Sequence, residues 1–283
     1  MTAPAASGAA PRNRILAALP ADEYARLAPR LELVPLELRH LVFDVDQPIE
    51  HVYFPEAGVV SIVSVMADGT AAETATVGYE GMVGLPVFLG TDRTASQAFC
   101  QVRGEAYRLT TPAFLQAVGE SATLRAVLGR YAQALFTLVA QSSACNRLHP
   151  MRQRCARWLL MTHDRVGTAT FALTQQFLSQ MLGVRRATVT EAAGELQAAG
   201  LIEYAYGKIT VRDRPGLERA ACECYAITQR EFARLLEGRS LPGPLTGVRL
   251  SEGGLSAVGD GTPREDVMSA PRDDGGNTSL ERR

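Results

Sequence analysis

The chain has 283 residues, of which 46% are apolar and 21% charged, with a formal net charge of -1. That length and apolar content exclude a fibrous or wholly disordered chain and allow one or two ordinary cores. No apolar run approaches the roughly 20 residues needed to cross a bilayer. The opening MTAPAASGAAPRNR lacks the apolar stretch a signal peptide requires, so a cytoplasmic protein with no membrane partner is expected.

Residues 1–12 read as a flexible N-terminus, and residues 13–33 as one or two short helices with Ile15, Leu16, Leu19, Leu27 and Leu31 able to share a face. From Leu41 the pattern changes to short β-branched and aromatic runs: LVFDV, HVYFP, VVSIVSV, ETATV, AFCQV and EAYRL. Turn residues at Asp68-Gly69, Gly78, Gly81, Gly84 and Gly90 separate them. The spacing predicts a small antiparallel β-sandwich or roll, closing a first domain over residues 13–111.

Thr110-Thr111-Pro112 supplies a hydroxyl N-cap and a proline in the first helical turn, predicting a long helix over 112–146. Within it Leu124, Leu128, Tyr131, Leu135, Leu138, Ser142 and Cys145 alternate by fours and threes, a seam that wants a partner. Either the chain's own roll or a second copy can supply that partner, and the expectation is a homodimer through Leu124, Leu128, Tyr131, Leu135 and Leu138. His149-Pro150 marks a break before MRQRCARWLLMTHDRV, which reads as a helix turning Met151, Trp158, Leu159 and Cys155 inward. Residues 237–283, rich in Gly, Pro, Ser and mixed charge, read as a disordered tail.

Whole-chain charge hides a local imbalance. Residues 1–146 hold 10 arginines against 14 acidic residues, whereas 147–214 hold 10 Arg and Lys against 5 acidic residues. A short basic block of that kind suits a module that neutralises phosphates. It coincides with LTQQFLSQMLGVRRATVTEAAGELQAAGLIEYAYGKITVRD, which has the layout of a winged helix-turn-helix spanning 147–236. Thr174 caps the first helix, Gly183 permits the left-handed turn, and Val184 anchors it. The second helix begins near Arg185 and turns Val189, Ala192, Ala193 and Leu196 inward, leaving Arg185, Arg186, Thr188, Thr190 and Glu191 free near its start. The run LIEYAYGKITV reads as a hairpin around Gly207-Lys208, placing Tyr206 and Lys208 beside a DNA backbone.

MLGVRRATVTEAAGELQAAGLI, with CARWLLMTHDRV before it and GKITVRDRPGLERAACECY after, resembles the Crp/Fnr family of bacterial regulators over residues 13–236. The resemblance implies an α+β fold: an N-terminal antiparallel β-roll of cyclic-nucleotide-binding type, a long dimerisation helix and a C-terminal winged helix-turn-helix. It implies a transcription regulator that partners DNA, itself and RNA polymerase. Base-reading positions of relatives fall on Arg186, Ala187 and Glu191, of which only the first is kept. Thr174, Gln175, Gln176, Arg185 and Thr188 match positions that hold phosphates. In the sensor half, Met82 occupies the place of a ribose-binding Glu, while Arg93 and Thr94 resemble the phosphate end of an effector pocket. Methionine is too weak an acceptor for a ribose hydroxyl, so no requirement for cAMP is expected.

Five cysteines, Cys100, Cys145, Cys155, Cys222 and Cys224, lie scattered through regular segments and read as reduced thiols. None precedes Cys100, which removes the N-terminal iron-sulfur ligands of oxygen-sensing relatives. Cys222-x-Cys224 is closer than the usual zinc spacing and has no histidine near it in sequence, so it reads as structural. His51 and His149 read as packed or solvated rather than as haem ligands. The expectation is therefore no metal and no cofactor, and no catalytic arrangement is recognisable among the four histidines.

Overall fold

The computed structural model describes residues 10–237 and the four residues 250, 251, 254 and 255. Residues 1–9 of the expected flexible N-terminus, and nearly all of the expected disordered tail over 237–283, lie outside the described residues. A first unit runs to Pro242. Of the second, from Gly243, only the antiparallel pair β9 (Leu250–Ser251) and β10 (Gly254–Leu255) is described.

In the first unit Asn13 caps α1 (Arg14–Ala17) by accepting from the Ile15 and Leu16 N–H groups at 3.1 and 3.2 Å. Its buried side-chain amide donates to the carbonyls of Pro55 and Gly81, fastening the entry to the roll. After α2 (Ala21–Leu27) the chain does not stay helical. It extends into β1 (Glu32–Leu36), where Pro35 sits on an outer strand, as a residue without an N–H must.

The roll is a five-stranded antiparallel sheet ordered β1-β5-β3-β4. It comprises β3 (His51–Val65), β4 (Ala71–Val77) and β5 (Ser96–Thr110), with β2 (Leu41–Phe43) also pairing with β5. The two 15-residue strands β3 and β5 bend through register shifts between Pro55 and Val60. There Gly58 is left-handed (φ +86°), and Gly104 lies so close to the Ala57 backbone that no Cβ would fit. Short α3 (Leu85–Phe88) buries Leu85 and Val87, and Val52, Phe54, Val60, Met82, Leu109 and Phe114 fill the core of the roll.

Thr110 does cap a helix, α4 (Thr111–Glu120), accepting from Ala113 N–H. The helix stops at Ser121, which turns extended and starts α5 (Ala122–Leu148) by accepting from Leu124 N–H at 2.8 Å. α5 ends at His149, and α6 spans Met151–Val166 as the sequence suggested. The winged helix-turn-helix follows with β6 (Thr170–Ala172), α7 (Gln175–Leu182), α8 (Arg186–Ala198), β7 (Ile202–Ala205) and β8 (Lys208–Val211). Its core joins Cys155, Trp158, Leu159, Leu178, Val189, Leu196 and Ile209. Two further helices, α9 (Arg214–Ala220) and α10 (Cys224–Glu237), were not read from the sequence.

α10 changes the reading of α5. It lies along α5, with Phe232 set edge-on to Tyr131 at 6.5 Å and Arg130 donating to the Leu235 carbonyl at 2.8 Å. Leu124, Leu128, Tyr131 and Leu138 are almost fully buried in the chain's own core, and Leu135 packs partly against it. The seam expected to meet a second copy therefore meets the roll and α10. The same helix leaves another stripe open at the same four-three spacing: Ala122, Ala126, Gly129, Gln133, Phe136 and Ala140. Among these, Phe136 is 69% exposed.

Candidate nucleic-acid interface and associated sites

The reading element is built by capping and turn chemistry. Thr174 accepts from the Phe177 N–H at 3.1 Å and starts α7, and Gly183 (φ +63°) closes it with a left-handed turn. Arg185 is the N-cap of α8, its carbonyl accepting from the Thr188 N–H at 3.0 Å. Gln175 and Thr190 meet across the turn at 3.0 Å, which ties the α7 entry to the α8 surface. The wing turns at Tyr206 (φ +51°) and Gly207 (φ +70°), one residue earlier than expected, so Lys208 opens β8 instead of sitting in the turn.

Thr174, Gln175, Arg186, Tyr204 and Tyr206 line one open cleft between α7, α8 and the wing. Gln176, Arg185 and Arg186 line another on the opposite side of the turn, shared with the β3–β4 hairpin of the roll at Asp68 and Gly69. Glu191 and Lys208 are exposed, and Thr188 is half-buried beside the turn. Nearby arginines are spoken for: Arg212 pairs with Glu203, Arg214 with Asp164 and Glu218, Arg152 with Glu195. Among the described residues, Arg185, Arg186 and Lys208 form no ion pair, which leaves three cations on the face a phosphate backbone would meet.

The expected effector-pocket residues differ in burial and in the partners they hold. Met82 is fully buried in the roll core and its carbonyl accepts from the Tyr131 hydroxyl at 3.0 Å. Gly81 beside it is so close to the Tyr131 ring that any Cβ would collide. Arg93 is half-exposed and donates to the Asp46 carbonyl at 2.6 Å, with Thr94 half-buried next to it.

Two polar contacts, neither visible in the sequence, join the roll to the reading domain. Arg165 of α6 reaches Oε1 of Glu80 at 2.8 Å through both Nε and Nη2, with both side chains about nine-tenths buried. Trp158 Nε1 donates to Glu73 Oε1 at 2.7 Å. Burial pushes the Glu73 carboxyl up to about 7, against the lowering effect of its Ser61 and Trp158 hydrogen bonds. The Ser61 hydroxyl lies 2.7 Å from Glu73 Oε2 and 2.5 Å from Gln101 Oε1. One hydroxyl proton cannot serve two acceptors; the buried Gln101 Nε2 has no partner, and turning that amide toward Ser61 lets it donate while the Ser61 hydroxyl donates to Glu73.

The expectation of no metal is corrected. Cys145, His149, Cys222 and Cys224 converge, their ligand atoms all within 4.8 Å of one another. His149, distant from Cys222 and Cys224 in sequence, is brought to them because α5 and the start of α10 lie side by side. The Cys224 thiol is held well below its ordinary value because Cys145, Cys222 and Gln141 donate hydrogen bonds to it. Burial pushes Cys155, outside the group, up to about 12 and makes it unreactive.

A β-roll joined through a long helix to a winged helix-turn-helix with unpaired cations defines a DNA-binding regulator. The sequence matches family models for a cyclic nucleotide-binding domain over residues 33–121 and a Crp-like helix-turn-helix domain over residues 153–220. Together these take in more than half of the chain, which belongs to the Crp/Fnr type of transcription regulator. Solved structures agree in fold. FixK2 from Bradyrhizobium japonicum is 17% identical, with a TM-score of 0.59, covering 68% of this chain and 98% of its own. A putative transcriptional regulator of the Crp/Fnr family from Eubacterium rectale is 15% identical, with a TM-score of 0.57, covering 71% and 94%. TTHA1359 from Thermus thermophilus, a Crp/Fnr-family transcriptional regulator, is 22% identical, with a TM-score of 0.53, covering 67% and 98%. No curated protein sequence matches. No helix among the described residues is long and apolar enough to cross a membrane.

Proposed function

We propose that the protein is a homodimeric, sequence-specific regulator that binds an inverted-repeat DNA site without requiring cAMP. The observation that carries the reading is the group of unpaired cations, Arg185, Arg186 and Lys208, at the helix-turn-helix and wing, where neighbouring arginines are neutralised. Thr174, Gln175, Gln176 and Thr188 set register on the phosphates, while Arg186, Thr190 and Glu191 face base edges. RNA polymerase is the expected protein partner, and the chain acts by binding rather than by catalysis.

The dimer forms through the open stripe of α5, where small residues allow close helix approach and Phe136 supplies the apolar anchor. Independence of cAMP rests on Met82, buried where a ribose-binding carboxylate would be needed, and on Arg93, engaged by Asp46. Selection from a random DNA pool should return a dyad with half-sites about one helical turn apart, unaffected by added cAMP. Phe136→Glu should give monomers by sedimentation and lose the dyad site. An unchanged dimer, or a selected site without symmetry, would refute the arrangement.

A further inference from the structure

We propose that Cys145, His149, Cys222 and Cys224 form a binding site for a single zinc ion, which fastens the end of α5 to the start of α10. Cys145 and His149 are four residues apart at the C-terminal end of α5, a spacing that puts both on one side of the helix. Cys222 and Cys224 bracket the entry to α10. Each pair alone is incomplete, and the two meet only because the helices lie together.

The distances fit one ion. Tetrahedral zinc with bonds of about 2.3 Å to sulfur and about 2.0 Å to nitrogen sets ligand atoms roughly 3.5 to 3.8 Å apart. Here Cys145 Sγ and Cys222 Sγ are 3.4 Å apart, as are Cys224 Sγ and His149 Nδ1, and no ligand atom is farther than 4.8 Å from another. So compact a set encloses a single ion and leaves no room for a multi-iron cluster. Three thiolates and an imidazole are soft donors in tetrahedral number, the set that selects zinc over the oxygen-seeking cations.

The surroundings are those a thiolate-rich centre needs. His149 presents Nδ1 to the sulfurs, while its Nε2 lies 3.2 Å from the Glu223 carboxylate, the partner that orients a metal-bound imidazole. Zinc with three thiolates carries a net charge of -1, and two arginines of α6 stand close to these cysteines. Arg157 donates to Ser142 at 3.0 Å, while its buried Nε and Nη1 have no hydrogen-bond partner. Arg154 donates to Asn146 on α5 and to the Leu182 carbonyl at the end of α7. Loading the site binds all three cysteines as thiolates, releases the thiol protons that remain and fixes the α5 end relative to the reading domain.

The test uses the untagged full-length chain purified without chelator. Elemental analysis should find about one zinc per chain, and cobalt(II) replacing it should give the intense visible bands of a tetrahedral thiolate site. Cys222→Ser should remove the stoichiometric metal. Glu223→Gln, an exposed change that should not disturb folding, should weaken zinc binding by about 10- to 100-fold in a chelator competition. Substoichiometric zinc with no cobalt-thiolate bands would overturn the proposal. So would zinc retained equally by the Cys222→Ser and Glu223→Gln proteins, or a Cys145–Cys222 disulfide that forms in air and excludes metal. These readouts involve no DNA, so their failure is distinct from failure of the regulator reading.

Discussion

The buried pair between Glu80 and Arg165 offers a quantitative test of how the roll and the reading domain hold together. Glu80→Ala leaves the guanidinium nine-tenths buried with only the Met161 and Thr76 carbonyls, at 2.8 and 3.2 Å, and strips the Gly78 N–H of its acceptor. Removing one partner of a buried ion pair costs about 3 to 5 kcal/mol, and the two remaining carbonyls place this site at the low end, near 3 kcal/mol. Arg165→Met alone strands the carboxylate, with a loss of the same size. The double change Glu80→Ala with Arg165→Met removes both charges together and should be far milder than the sum, giving a coupling of about 2 to 3 kcal/mol. Urea unfolding reads this directly: with a slope near 3 kcal/mol per molar, each single change should lower the midpoint by about 1 M. Single losses below about 1 kcal/mol, or strictly additive effects in the double variant, would show that the pair does not bind the two parts together.

Arg186→Ala should weaken specific sites and relax preference at one base pair per half-site, by about 1 to 3 kcal/mol for each bidentate pairing with a guanine. Lys208→Ala should weaken all sequences alike and make the salt dependence shallower by about one unit; titrations over point-mutated sites at several salt concentrations separate the two. Glu73 gives a pH dependence. Burial raises its folded value from 4.5 to about 7, so its contribution to stability is most favourable below pH 4.5 and is lost as the pH rises toward 7. At about 1.4 kcal/mol per pH unit the loss is about 3 kcal/mol, and Glu73→Gln, whose amide can donate to Ser61, should abolish it and raise stability at pH 8. A variant with the parent's pH profile in thermal melts would contradict the assignment.

What the sequence disclosed and what it withheld divide along the range of the interactions. Thr110, Thr174 and Gly183 act on their own neighbours, and each starts or ends a helix where the residues alone indicated. Ser121 also acts locally, but an unbroken helical pattern across it concealed its role as a second cap. The α5 seam was ambiguous for a different reason. Two stripes on that helix share the same four-three spacing, and apolar content marks the one the core takes, not the one left for a partner. The covering element, α10, lies about a hundred residues later. The four ligands of the thiol site are likewise split between two distant pairs, neither of which meets a familiar motif. Of the reading face, every expected residue lies at the start of α7, on α8 and its turn, or at the wing; in the roll, Met82 is sealed in the core while Arg93 stands half-exposed.

α5 runs 27 residues without interruption, about 40 Å at 1.5 Å per residue. A rod of that length converts angle into displacement. With Phe136 as the pivot, about 20 Å from His149, a tilt of about 10° carries the reading domain attached there through roughly 3.5 Å. That is the rise of one base step along a DNA strand, about 3.4 Å. The half-site spacing such a dimer accepts is thus sensitive to rearrangements at the pivot far smaller than a domain movement, and two chains whose stripes pack at slightly different angles would select operators differing in length.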